Sequence, residues 1–148
     1  MHTSSSTIAL TTSAFAAACK LLRTASRADR SLAEAAALEL APVLLASVRS
    51  GGLMGSSPLL VQVQAESIAW CCVCAPAGTA AAMRPEVLGL IALGGVGFSG
   101  LGITPSDTPV GELRELIARG CMIAMEANPK LLQPQVGPSL ATLVYMCL

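Results

Sequence analysis

The chain has 148 residues, 53% of them hydrophobic and only 12% charged, with nine Lys and Arg balanced by nine Asp and Glu. The charged share is about half that of an ordinary globular protein, which excludes a disordered acidic or basic tail, since such chains lack the apolar surface needed to offset the entropy of ordering. Charge balance and 3% aromatic content supply neither a cationic field for phosphates nor stacking platforms for bases, so nucleic acid is excluded as the expected partner.

Residues 1–28 contain no acid, carry Lys20, Arg23 and Arg27, and are rich in Ser, Thr and Ala. This is the composition of a mitochondrial or plastid transit segment. The same residues also read as a folded amphipathic helix, because Leu10, Ala14, Ala17, Ala18 and Leu21 recur at helical spacing.

Ser31 and Glu34 have the spacing of a capping box and predict a helix start near 31. Pro42 then divides 31–49 into two short helices or kinks a single one, and Gly51 and Gly52 supply the stop. Ser57 before Pro58 predicts a cap and first helical residue, launching a helix to about Ala75 that Pro76 ends.

A further helix is expected over 79–93, entered through Arg84 and Pro85. The segment 94–107 holds six residues that loosen or break helices, namely Gly94, Gly95, Gly97, Gly100, Gly102 and Pro105, and is expected to be a loop. Thr108 and Pro109 repeat the cap-plus-proline signal. From there Leu113, Leu116, Ile117, Gly120, Cys121 and Ala124 form one apolar helical face, with Glu115 and Arg119 four apart on the other as a favourable ion pair. Asn128 and Pro129 close that helix, and 131–147 supplies a last apolar segment.

The six cysteines lie in apolar contexts and read as buried thiols in a reducing compartment, the cytoplasm, rather than as a secreted disulfide framework. Cys71, Cys72 and Cys74 do not make a metal site on this reading: on a helix Cys72 points away from the other two, and the one histidine is His2. No metal or cofactor is expected. Gly95-Val-Gly97-Phe-Ser-Gly100 matches a dinucleotide fingerprint, but Pro105 follows where a helix would have to open. With no base for any nucleophile and no paired carboxylates on one helix face, no catalytic residue is expected and the chain does not read as an enzyme.

An internal repeat organises these helices. Leu10-Thr-x-x-Ala14-x-x-Ala17-Ala18, Val61-Gln-x-x-Ala65-x-x-Ile68-Ala69 and Leu113-Arg-x-x-Ile117-x-x-Gly120-Cys121 share one pattern at spacings of 51 and 52. Each is followed by a second apolar helix associated with a proline, respectively Pro42, Pro85 and Pro134. The unit is a helix hairpin, too small to bury its apolar face alone.

On these residues the chain resembles armadillo and HEAT repeat proteins: Val61-Gln62-x-x-Ala65-x-x-Ile68-Ala69 looks like the armadillo core, and Leu113 to Leu132, with its Asn128-Pro129 turn, like a HEAT hairpin. The resemblance implies a single all-α domain over 1–148, an α-solenoid of about three stacked antiparallel helix hairpins acting as a non-enzymatic scaffold for a protein partner. It implies a partner groove, with Arg84, Glu86, Arg114 and Arg119 as its contacts and the 94–107 loop as an accessory. The bare apolar ends, closing on Val144-Tyr145-Met146-Cys147-Leu148, suggest a piece of a longer solenoid or ends covered by a partner. The competing expectation, from hydropathy, is a small integral membrane subunit of an organelle complex with 87–104 and 131–148 in lipid.

Overall fold

The computed structural model describes residues 5–49, 58–97 and 106–132. Their regular structure is helical throughout: α1 (Ser5–Ala28), α2 (Arg30–Arg49), α3 (Pro58–Cys74), α4 (Pro76–Ala82), α5 (Pro85–Gly97) and α6 (Val110–Ala127), then one 3-10 turn, Pro129–Leu132. No β-strand occurs among the described residues.

Helix α3 is the axis of the fold, and its polar residues Gln62, Gln64, Glu66 and Ser67 are buried along with its apolar ones. Every residue from Leu60 to Ala69 is buried, and α3 packs against α1, α2, α4, α5 and α6. Helices α1 and α6 flank it without packing on one another. Cys19 Sγ donates to the Val63 carbonyl at 3.7 Å, and further along both helices Arg27 and Trp70 line one groove, so α1 and α3 run in the same direction. Helices α2 and α5 also pack on α3, α5 reaches α6, and α4 bridges α2 and α6. Leu22, Ile68, Leu88, Ile91, Leu113 and Ile117 are fully enclosed, each worth roughly 1.5–3 kcal/mol relative to exposure.

Proline sets the helix starts where the sequence predicts. Pro58 and Pro85 are first helical residues, where the missing N–H has no intrahelical partner to lose. Pro76 ends α3 and opens α4, a short helix that begins earlier than the expected 79 and is separated from α5 at Met83 and Arg84. Of the two readings for 31–49 the single helix is the one formed: Pro42 lies within α2 on its exposed side.

Three expectations are corrected. The helix start near 31 is capped by Asp29 and not by Ser31: Asp29 Oδ1 accepts the Ser31 N–H at 2.9 Å and its carbonyl accepts Ala33 N–H at 3.0 Å. Helix α5 continues to Gly97, so the Gly-rich loop expected over 94–107 begins no earlier than 98, and 98–105 lie outside the described residues. Thr108 does not cap α6. Pro109 holds the N-cap position without a side-chain bond, and the Thr108 hydroxyl turns inward to Glu66.

The segment 1–28, read as a transit peptide or a folded helix, contributes α1, with Phe15, Cys19 and Leu22 in the core. The Arg30–Val48 stretch of α2 is long and apolar enough to cross a membrane, the one such helix among the described residues, with a third of it buried inside the fold. In the expected lipid segment 87–104, Leu88, Ile91 and Ala92 are buried core residues. The segment 131–148 lies outside the described residues beyond Leu132.

Candidate functional site

The functional surface begins with the end of α3. Ile68, Cys71 and Cys72 continue its buried faces, but Trp70, the only tryptophan of the chain, is half-buried at the edge where α1 and α6 diverge. Its indole Nε1 is shielded from solvent and has no hydrogen-bond partner among the described residues. Two adjoining grooves share it. One, of about 630 Å³, runs between the α1–α2 turn and α6 and is lined by Arg27, Arg30, Glu34, Cys74 and Arg119 among others. The other, of about 260 Å³, continues over Arg23, Thr108, Glu112, Glu115 and Leu116.

Four of the nine cationic side chains of the chain thus gather around one indole. Their electrostatic reach is visible at Cys74, whose thiol is raised by burial while Arg119 and Arg30 pull it the other way. Among the described residues Arg27, Arg30 and Arg119 make no ion pair with a carboxylate; the one ion pair found there is Lys20 to Asp107 at 3.3 Å. The expected Glu115–Arg119 pair is therefore not formed. Trp and Arg together are the side chains that most often dominate binding energy at protein interfaces.

Arg23 differs from the other three because it is committed internally. Its Nη1 donates to Thr108 Oγ1 at 2.8 Å and its Nη2 to the Ser106 carbonyl at 3.1 Å. Beneath it Glu66, fully buried, accepts from Thr108 Oγ1 at 2.8 Å, and the Ser106 hydroxyl lies 2.7 and 2.9 Å from its two oxygens. Asp107 between them takes a positive φ of 65°, a conformation that aspartate tolerates better than most residues, and this lets both neighbouring side chains point down. A buried carboxylate without such donors would cost several kcal/mol; here they tie the entry of α6 to α1 and α3 and fix the rim of the smaller groove.

The thiols point to packing and not to chemistry. Burial is the largest cause of the upward shift at Cys19, Cys71 and Cys72, with Cys71 raised from 9.0 to about 12. Protonated buried thiols are poor nucleophiles and poor ligands. No three His, Cys, Asp or Glu side chains converge to hold a metal ion among the described residues. The Gly95-to-Gly97 half of the fingerprint-like motif is helical, and its other half lies outside the described residues.

The sequence-predicted contacts do not come together. Arg119 lines both grooves. Arg114 is exposed on α6, and Arg84 and Glu86 are exposed at the α4–α5 step; none of these three lines either groove. Sequence reasoning missed Trp70, Arg27 and Arg30. One signal was available: a lone tryptophan in the last two turns of a mostly apolar helix. No protein-family model, curated protein or solved structure matches the chain.

Proposed function

We propose that the chain is a non-enzymatic interaction module, a short α-solenoid of stacked helix hairpins, that takes an acidic segment of a protein partner in the groove floored by Trp70. The observation that carries the reading is that Arg27, Arg30 and Arg119, none of them ion-paired with a described carboxylate, line the groove that holds Trp70, against one acid there, Glu34. A carboxylate-rich segment would pair with the arginines. The row α1, α3, α6, with α2 and α5 packed against it, supports the stacked-hairpin part. The five described cysteines are free, which suits a reducing compartment, in our reading the cytoplasm.

Trp70 itself reports the test, since no other tryptophan contributes to the emission. Titration of the full chain with hexaglutamate should shift that emission saturably, the effect weakening in high salt. Hexalysine should leave it unchanged, and Arg119→Gln should weaken hexaglutamate at least about tenfold. No response to hexaglutamate, or an equal response to hexalysine, overturns the reading. The membrane alternative draws on α2, and recovery of the expressed chain in carbonate-washed membranes would favour it.

A further inference from the structure

The charges of the two grooves that share Trp70 are sorted along their length. The wall supplied by α6 carries Glu112, Glu115 and Arg119, spaced three and four residues apart and therefore on one stripe, acids first and base last. All three are exposed. The wall supplied by α1 runs the same way: Arg23 reaches Thr108, just ahead of α6, and Arg27, one turn further on, lines both grooves together with Arg119. Arg30 extends the cationic end into the larger groove. At the acidic end the facing cation is Arg23, whose guanidinium is engaged by the Thr108 hydroxyl and the Ser106 carbonyl. Neither Glu112 nor Glu115 is ion-paired with a described cation. Helix stability does not account for both acids, since Glu112 lies in the first turn of α6, where it suits the helix dipole, but Glu115 lies beyond it.

We propose that the partner segment is a charge diblock: a run of Asp or Glu seated against Arg27, Arg30 and Arg119 that passes into Lys or Arg seated against Glu112 and Glu115. Trp70, common to both grooves, lies at the junction. This inference rests on the reading of the groove as a site for an acidic segment and adds the site's selectivity. A wholly acidic segment laid along both grooves would bring its far carboxylates against Glu112 and Glu115, a like-charge contact that selects against it, whereas a segment that changes sign pairs at both ends. The geometry also sets the scale of the change. Seven residues of helix separate Glu112 from Arg119, about 10 Å at the helical rise, a span that an extended peptide covers in about three residues.

Three peptides blocked at both termini test this against the Trp70 emission of the full chain: EEEKKK, the alternating EKEKEK, and hexaglutamate. EEEKKK should bind about threefold or more tighter than either of the others. Glu112→Lys combined with Glu115→Lys should invert the ranking, so that hexaglutamate binds tighter than EEEKKK. Glu86→Lys combined with Glu126→Lys makes the same change in net charge at exposed positions outside both grooves, and should keep EEEKKK ahead. Unchanged far-ultraviolet circular dichroism would show that the variants remain folded, and the wild-type comparison of the three peptides stands without them. Wild-type binding of hexaglutamate or EKEKEK as tight as that of EEEKKK, or a groove variant that keeps the wild-type ranking, overturns the diblock while leaving the acidic-segment reading in place. No response to any of the three peptides overturns both.

Discussion

Gly120 of α6 sits on Ala69 of α3 so closely that a Cβ at position 120 would lie 3.1 Å from the Ala69 Cα, Cβ and carbonyl oxygen. The contact sets the separation of the two helices, and its obstacle is largely backbone, which cannot swing aside. Gly120→Val should therefore destabilise the fold by about 1–3 kcal/mol despite the better helix propensity of a side chain. A urea midpoint unchanged from wild type would contradict this packing.

Two other helical glycines should behave differently. At Gly89 a Cβ meets nothing within 4 Å, so Gly89→Ala should raise stability by about 0.5–1 kcal/mol. At Gly78 a Cβ would come within 2.5 Å of Leu38 Cδ2, but Leu38 is 47% exposed and its tip can rotate toward solvent. Gly78→Ala should be close to neutral, and the three midpoints should rank Gly89→Ala, Gly78→Ala, Gly120→Val from most to least stable.

The Glu66 node predicts a coupled pair. Ser106→Ala and Thr108→Val each remove a hydroxyl from a buried carboxylate, which should cost about 1–3 kcal/mol apiece. The double variant should differ from the sum of the singles, since both hydroxyls serve one acceptor. Strict additivity in a double-mutant cycle would show that the hydroxyls do not share Glu66.

The thiols predict both an order of reactivity and a sign for the alkaline response. Cys74 is half-buried while Cys19, Cys71, Cys72 and Cys121 are buried, so among these five iodoacetamide should modify Cys74 first in the folded chain. The Cys71 thiol is raised by burial from 9.0 to about 12. The folded state thus holds this proton more tightly than the unfolded state. That contribution is complete below pH 9 and is lost as pH rises from 9 toward 12. Urea midpoints should fall through that window, and a rise would contradict the assignment.

Much of the fold is legible in the sequence because proline speaks locally. Pro58 and Pro85 mark helix starts, and Pro76 the end of α3, through a missing N–H that no distant residue can restore. Capping was less legible. Asp29, two residues earlier, outcompetes Ser31, and Thr108 gives its hydroxyl to Glu66, 42 residues away in sequence. The groove was least legible of all, because Arg27, Arg30, Trp70 and Arg119 come from four different helices and share no spacing. Only Arg119 was foreseen, as one of the four contacts of an expected partner groove.

Four arginines and three glutamates, Glu34, Glu112 and Glu115, line the two grooves that share Trp70; the proposed acidic ligand requires the net field there to be positive, and collisional quenching of the Trp70 emission measures that field directly. Iodide should quench Trp70 more efficiently than caesium, and Arg119→Gln or Arg30→Gln should narrow the difference. Equal quenching by the two ions, or a preference for caesium, would contradict the account.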